Sequence, residues 1–245
     1  MGALHEEIAG IAALMSHVQT EEMGGRTYHS GSIGSVRVVL TFSRWGKVAA
    51  AVTATHLILK YGVTDIIFTG VAGAIDPELR VGDIVLAQRL IHHDLDGRPL
   101  MPRYEVPLLG VTWFPAHEDH LQRAGSVIQR LLDSGTLISA ISPDRLHLFG
   151  IEHPKLYIGD IASGDQFISA QQHRDAITEH LPDILCVEME GAAVAQVCYE
   201  YGVPCSVIRT ISDTADDRSH IDFSRFIPVA GTYAVQMISA ILREM

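Results

Sequence analysis

Short apolar runs alternate with longer amphipathic segments along this chain, and this alternation constrains its fold more than any other feature. Bounded apolar runs of about 4–8 residues are typical of buried strands, whereas longer segments with apolar positions three or four apart are typical of helices. The pattern predicts strands at 36–42, 65–70, 83–91, 156–161, 184–190 and 205–212. It predicts helices at 8–18, 47–60 and near 117–132, 170–179, 190–201 and 223–243. We therefore expect one α/β domain over residues 1–245, with a mostly parallel or mixed central sheet and helices on both faces.

Composition and charge limit the kinds of molecule that this chain is expected to bind. The 245 residues are 47% hydrophobic and 19% charged, which is incompatible with intrinsic disorder and supplies enough apolar surface for a core. The net charge of −11 opposes binding to nucleic acid or to an anionic membrane. A small molecule is the expected partner.

The cellular compartment is predicted from two further observations. No apolar run approaches the roughly 20 residues that span a bilayer, and the N-terminal segment lacks the order of a signal peptide. The three cysteines, Cys186, Cys198 and Cys205, form no C-x-x-C pair and are odd in number, which argues against a disulfide framework. We expect buried, reduced thiols in a cytoplasmic protein.

The segments that follow the predicted strands are the expected ligand site, because sheets of this kind bind ligands at the carboxyl ends of their strands. These segments are 69–73, 163–167, 187–190 and 209–213. Two long irregular stretches, 94–115 and 134–154, are predicted to be lids or subunit contacts.

Glu188 and Glu190 end an apolar strand. The two-residue period of a strand would place them on one side, with Met189 on the other. A carboxylate here either caps the following helix or accepts hydrogen bonds from two vicinal hydroxyls, as a ribose offers.

Asp213 ends another apolar strand, with Ser212 placed to orient it. Both residue types favour helix N-caps, but the polar stretch 214–219 delays any helix, and this favours a ligand-binding role. Glu6 and Glu7 open the first predicted helix, where acidic residues are common for dipole reasons alone.

Two other kinds of site find little support. Gly70 to Gly73 follows a strand but matches neither G-x-G-x-x-G nor a P-loop. The acidic and imidazole groups of 92–96 alternate across a strand and have no companion cluster with metal spacing.

Seven motifs occur in an order that resembles the 5′-methylthioadenosine/S-adenosylhomocysteine nucleosidases of the nucleoside phosphorylase superfamily. They are Gly2-Ala-Leu-His-Glu-Glu7, Gly46-Lys-Val-Ala-Ala50, Thr69-Gly-Val-Ala-Gly73, Val81-Gly-Asp83, Ser163-Gly-Asp-Gln-Phe-Ile168, Val187-Glu-Met-Glu190 and Arg209-Thr-Ile-Ser-Asp213. The resemblance implies an α/β sandwich without metal or organic cofactor. It also implies a homodimer in which loop 94–115 contributes to the neighbouring site.

The resemblance further implies hydrolysis of the bond between adenine and a 5′-thio-substituted ribose. Asp213 matches the acid that protonates N7 of the purine, which requires a raised pKa, and Ser212 is its neighbour. Glu7 matches the carboxylate that activates water, with Arg209 beside it. Glu190, together with Met189, matches the ribose-binding pair.

The remaining implied contacts are to the base. Phe167 would stack on adenine, the main chain of Ile168 would read its edge, and Phe223 would close over the site. The 5′ substituent, whether methylthio, homocysteinyl or a larger futalosine-type tail, stays open.

Three departures from the family pattern are evident. The chain starts at the Gly2 motif with no room for the usual first strand, so we expect a natural frame that extends upstream by about one strand of 5–6 residues, or altered packing of the first helix. Arg44 and Trp45 replace smaller residues near the sugar, where Arg44 could bind an anion. Val71 replaces a serine.

Two alternative functions remain. A phosphate-dependent nucleoside phosphorylase is favoured by Arg44 and opposed by Val71, because a phosphate site needs several convergent donors. A catalytically idle nucleoside-binding protein is suggested by the missing first strand and opposed by the presence of Glu7, Glu190 and Asp213 together.

Overall fold

The computed structural model describes residues 1–3, 5–213 and 219–245, the side chains of 219–223 excepted. The helices are α1 (His5–Ala12), α2 (Lys47–Tyr61), α3 (Glu118–Asp133), α4 (Thr136–Ser139), α5 (Pro143–Phe149), α6 (Gln171–Thr178), α7 (Gly191–Tyr201) and α8 (Ser219–Leu242). The strands are β1 (Ser16–Met23), β2 (Arg26–Ile33), β3 (Val36–Thr41), β4 (Ile66–Ala74), β5 (Ile84–His92), β6 (Phe114–Pro115), β7 (Leu156–Ser163), β8 (Ile184–Glu188) and β9 (Cys205–Asp213).

Five strands pair in a closed ring in the order β5, β7, β8, β4 and β9, with β9 returning to β5. The contacts β5–β7, β7–β8 and β4–β9 are parallel, while β4–β8 and β5–β9 are antiparallel. β4 and β8 meet only at their carboxyl ends, where Gly73 pairs with Val187 and Ala74 with Cys186. The prediction of an α/β fold with a mixed central sheet is confirmed.

A second sheet of three antiparallel strands, β1–β2–β3, joins the ring through the first residues of the chain. Gly2 forms parallel bridges to Phe42 on one side and Thr69 on the other. The Ala3 amide donates to the Thr69 carbonyl at 3.1 Å, and the Ser43 amide donates to the Gly2 carbonyl at 2.9 Å. The expectation that the chain lacks room for an element here is therefore wrong in part, because three residues are enough to pair on both sides.

Helices cover the ring on two sides. Apolar residues of α2 and α7, such as Leu57 and Val194, pack with β4 and β9 in one core cluster. Residues of α3 and α8, such as Ile128 and Tyr233, pack with β5 and β9 in another. All three cysteines are free and buried, as predicted.

The α8 helix contains a 19-residue stretch, Ser224–Leu242, with mean hydropathy 1.3. By length and composition it could cross a membrane, which corrects the expectation that no apolar run reaches that length. Of this stretch, 56% is buried inside the protein. Phe226, Tyr233 and Ile241 pack in the same cluster as Ile84 of β5, as the residues of a core helix do.

The N-terminal part differs from the sequence prediction. The helix expected at 8–18 ends at Ala12, and a hairpin of β1 and β2 follows, turning at Gly24 and Gly25. The strand β1 is exposed along nearly its whole length, so its sequence lacks the apolar alternation that predicts a strand. Both turn glycines have positive φ, 57° and 69°.

Candidate active site

A cleft of about 310 Å³ lies where β4, β7, β8 and β9 end. Its walls are formed by Ala3, Trp45, 71–73, 166–168, 187–190 and 212–213. These segments include the strand exits at which a ligand site was predicted. Seven of the ten predicted site residues line the cleft: Phe167, Ile168, Glu188, Met189, Glu190, Ser212 and Asp213.

Asp213 is the last residue of β9, and its side chain is buried at the cleft. The Ser212 hydroxyl donates to Asp213 Oδ2 at 2.7 Å and also lies 3.4 Å from the Ala72 carbonyl oxygen. A carboxylate whose orientation is fixed by a neighbouring hydroxyl, on a rigid strand, is well suited to transfer a proton at one fixed point.

Glu190 is the second buried carboxyl group of the cleft. Its Oε1 accepts a 2.9 Å hydrogen bond from the Gly46 amide, just before α2. Burial raises the pKa of Glu190 to about 7, and the charge of Glu188 adds to this, while Arg209 and the amides of Gly46 and Met189 oppose it. The protonated form of Glu190 can donate one hydrogen bond and accept another.

Both carboxylate oxygens of Glu188 accept hydrogen bonds from other groups of the protein. Its Oε2 accepts from Arg209 Nη2 at 2.5 Å and Nε at 3.1 Å, and from the Glu190 amide at 3.2 Å. The Gly191 amide lies 3.0 Å and 2.8 Å from its two oxygens, and the Ser163 hydroxyl donates to Oε1. A carboxylate has about four lone-pair sites, so these donors saturate it.

Glu188 therefore acts as a cap at the start of α7, as one of the two interpretations predicts. Its oxygens have no lone pair left for the predicted contact with substrate. The two-residue period does not extend to Glu190, because β8 ends at Glu188, and Met189 lines the cleft together with both glutamates. Glu190 is the N-cap of α7, with φ −138° and ψ −36°. Glu188 and Glu190 therefore have different hydrogen-bond partners.

Arg209 is completely buried and is held from several directions. Its guanidinium carbon lies 4.2 Å from the centre of the Phe68 ring, and Nη1 donates to the carbonyls of Phe68 at 3.3 Å and Ile208 at 3.2 Å. A Cβ on Gly70 would lie 2.9 Å from Nη1, so only glycine allows this approach. Although burial disfavours its charge, the surrounding carboxylates raise the pKa of Arg209 further. Arg209 supports the cleft from behind and does not line it.

Glu7 is buried in the first turn of α1. Its Oε2 accepts the Ala3 amide at 3.0 Å, and Ala3 itself lines the cleft. The charge of Glu7 is close enough to Arg209 to contribute to its raised pKa. Glu7 therefore contacts the cleft wall through Ala3 and lies on the Arg209 side of the site.

The rest of the cleft lining is largely apolar. Ile168 is buried, Phe167 is 43% exposed, and both line the cleft together with Met189 and Val71. Flat apolar surfaces of this kind bury the faces of an aromatic ring. The predicted contact of Phe223 falls outside the described side chains.

Trp45 and Arg44 occupy opposite sides of their turn. The Trp45 indole N–H donates to the Ala3 carbonyl at 3.0 Å, and the ring lines the cleft. Arg44, with φ 63°, places its guanidinium about 3.4 Å from where a Cβ on Gly25 would lie, at the β1–β2 turn. The hypothesis that Arg44 binds an anion near the sugar is not supported, because the left-handed backbone turns it toward the hairpin.

Sequence reasoning missed two main-chain groups, the Gly46 amide and the Ala3 amide, that hold the carboxylates. Main-chain donors leave no side-chain signal, but a glycine directly before a helix was an available indication at Gly46, whose φ is 89°. Within 1–3, 5–213 and the described part of α8, no group of three or more His, Cys, Asp or Glu side chains could hold a metal ion.

The family model described as "Phosphorylase superfamily" matches residues 1–243. The chain is 33% identical over 246 residues to the 5′-methylthioadenosine/S-adenosylhomocysteine nucleosidase of Chromohalobacter salexigens, covering 100% of this chain and 96% of that protein. It is 31% identical over 247 residues to the aminodeoxyfutalosine nucleosidase of Helicobacter pylori, with 100% and 97% coverage. The crystal structure of the Neisseria meningitidis 5′-methylthioadenosine/S-adenosylhomocysteine nucleosidase in complex with methylthio-immucillin-A is similar in fold, with a TM-score of 0.87, 27% identity and coverage of 100% and 97%.

Proposed function

Because the chain belongs to the phosphorylase superfamily, we propose that it is a nucleosidase that hydrolyses the N-glycosidic bond of 5′-methylthioadenosine, S-adenosylhomocysteine or both. The products are adenine and the 5-thio-substituted ribose. One observation carries the proposal: a cleft with a largely apolar lining holds two buried carboxyl groups, Asp213 fixed by Ser212 and Glu190 fixed by Gly46.

The charges that develop during the reaction fit this arrangement. Breaking the bond leaves electrons on the base and oxocarbenium-like positive charge on the sugar, as in glycoside hydrolysis. Asp213 delivers a proton to N7 of the departing purine. Glu190 hydrogen-bonds the ribose hydroxyls, and Glu7 activates the attacking water. General acid catalysis of this kind contributes typically 10²–10⁴-fold in rate.

The apolar residues of the cleft bind the base. Phe167 stacks on adenine, the main chain of Ile168 reads its edge, and Phe223 closes over the nucleoside. Glu188 and Arg209 act indirectly, since their buried ion pair fixes the turn that carries Met189 and Glu190.

A hydrolase is favoured over a phosphorylase by the donors at the sugar end. Arg44 turns away from the cleft, and Val71 offers no hydroxyl. Positioning a phosphate nucleophile requires several convergent donors.

Incubation with methylthioadenosine, with and without phosphate, tests the proposal. Free 5-methylthioribose should form at the same rate in both, with adenine as the other product. A sugar 1-phosphate, or turnover that depends on phosphate, would favour the phosphorylase; no turnover with retained adenine binding would favour an idle binding protein.

The assembly is a second part of the proposal: residues 1–245 form one domain that acts as a cytoplasmic homodimer. Large apolar side chains are exposed on loop 94–115 and on the adjoining start of α2, including Leu100, Leu108 and Val48. Exposed apolar patches mark contact sites, and a second copy of this chain is the occupant we propose. Free buried thiols agree with a reducing compartment.

Sedimentation velocity tests the assembly. The wild-type protein should sediment as a dimer, and Leu108→Asp should shift it toward the monomer and lower its activity. A monomeric wild-type protein with full activity would contradict the homodimer.

A further inference from the structure

The carboxylate of Asp94 joins three segments of the chain: the start of α2, the residues after β5 and the residues after β7. Asp94 Oδ1 accepts from Lys47 Nζ at 2.5 Å, and Oδ2 accepts the Asp165 amide at 2.9 Å. Lys47 starts α2, Asp94 follows β5, and Asp165 follows β7. We call these three residues the clasp. Neither Asp94 nor Lys47 lines the cleft.

The clasp is connected to Glu190 through the backbone at the start of α2. Asp165 Oδ1 accepts the Lys47 amide at 2.7 Å and so caps a helix whose own N-cap residue, Gly46, has no side chain to do so. The neighbouring Gly46 amide is the donor that holds Glu190. A shift of the α2 start would therefore displace the partner of the ribose-binding carboxylate.

The clasp is connected to the proposed base-binding wall through the loop 164–168, which follows β7. Asp165 lies two residues before Phe167, and its amide is tied to Asp94. His93, which follows β5, packs so closely on Gly164 of this loop that a Cβ at Gly164 would overlap the imidazole. The path of this loop is thus determined by the residues that follow β5.

Electrostatics favours the charged form of the clasp. Although burial raises the pKa of Asp94, the hydrogen bonds from Lys47 and Asp165 outweigh it and lower the pKa below its usual value. The side chains of Lys47 and Asp94 are 20% and 30% exposed, and ion pairs with this exposure contribute little to overall stability. Their effect should therefore appear in the geometry of the site.

We propose that Asp94 is a positioning residue for the reaction: through Lys47 and Asp165 it fixes the Gly46 amide that orients Glu190 and the loop that carries Phe167. This inference rests on the proposed nucleosidase function. Misplacing a catalytic contact by about 1 Å can cost up to ~10²-fold in rate.

Three variants test the inference through steady-state kinetics with methylthioadenosine. Asp94→Ala should lower kcat by about tenfold or more, with an unfolding temperature close to that of the wild-type protein. The kcat of Asp94→Asn should lie between those of the wild-type protein and Asp94→Ala. The amide oxygen can still accept from the Asp165 amide, but the charge that faces Lys47 is lost. Glu21→Ala is the matched control, since Glu21 pairs on the surface with Lys60 at the opposite end of α2.

A double-mutant cycle with Lys47→Met examines the coupling directly. If the two side chains act through one contact, adding Lys47→Met to Asp94→Ala should cause little further loss. Full additivity, or an Asp94→Ala variant within twofold of wild-type kcat, would overturn the inference. An equal loss in Glu21→Ala would overturn it as well.

Hydrogen exchange provides a readout that does not depend on turnover. Amides of 43–49 and 163–168 should exchange faster in Asp94→Ala than in the wild-type protein or in Glu21→Ala. Unchanged exchange in both segments would reject the clasp. A wild-type protein without nucleosidase activity would refute the proposed function, and the exchange comparison would still decide whether Asp94 joins the two loops.

Discussion

The Gly46 amide donates a 2.9 Å hydrogen bond to Glu190 Oε1 across 144 positions of sequence. Gly46 adopts φ 89°, a backbone conformation that L-residues rarely take. A main-chain group at the start of α2 thus sets the orientation of a carboxyl group at the start of α7.

Gly46→Ala should therefore reduce activity by more than its effect on stability would predict. The new Cβ would lie 3.0 Å from Asp165 Oδ1, and the backbone at φ 89° and ψ 157° is in a region essentially restricted to glycine, which costs other residues about 1–3 kcal/mol. We expect kcat/KM for methylthioadenosine to fall by at least about tenfold. Gly34→Ala is the control, because Gly34 has φ 59° with open space around it. Equal activities of the two variants would contradict the role of the Gly46 amide.

Asp213→Asn should lower kcat by at least ~10² with nucleoside binding largely retained, because the amide keeps the shape and loses the transferable proton. Ser212→Ala should have a smaller effect, since it removes only the hydrogen bond that orients Asp213. Single-turnover kinetics together with calorimetric binding measure both quantities. An Asp213→Asn variant within a few fold of the wild-type rate would show that another group protonates the base.

Glu190→Gln should change how stability depends on pH. The pKa of Glu190 is raised from 4.5 to about 7, so the folded protein binds a proton that the unfolded chain has released between these values. The wild-type free energy of unfolding should fall relative to the variant as pH rises through this window, on the order of 1 kcal/mol per pH unit. Urea titrations at pH 5 and pH 8 measure the difference. A difference that is the same at both values would show that Glu190 titrates normally.

Glu188→Gln should destabilise the fold strongly, because it leaves the charge of Arg209 buried without its counter-ion. Breaking a buried pair of this kind costs about 3–5 kcal/mol. Asp160→Asn gives the comparison, since its partner Arg89 has a side chain that is 46% exposed. Chemical denaturation should show the larger loss for Glu188→Gln; the reverse order would mean that the buried pair is not what holds this turn.

The sequence predicted most of the candidate site because strand exits are recognisable from apolar runs. Asp213 and Phe167 follow such runs directly, and both line the cleft. Glu188 was harder to assign, because its partners Ser163 and Arg209 come from other strands and decide which oxygens remain available. No local pattern encodes those contacts.

The fold was predictable to a similar extent. The six predicted strands and the predicted helices α2, α3, α6 and α7 agree with the structure to within a few residues. The hairpin of β1 and β2 was missed because its burial is low, so tertiary pairing and a Gly24–Gly25 turn, not apolar alternation, define it. Ring closure could not be predicted, since Ile84 pairs with Thr210 from far along the chain.

The closed ring has a mechanical consequence for substrate choice. A strand in the ring has partners on both sides, so it cannot separate from its neighbours without breaking two rows of hydrogen bonds. The distance between the ends of β8 and β9 is consequently insensitive to the size of the molecule in the cleft. On the proposed function, tolerance for longer or shorter 5′ groups resides in the connecting loops, and substitutions that follow Asp94, in 95–115, can change it without moving the two carboxylates.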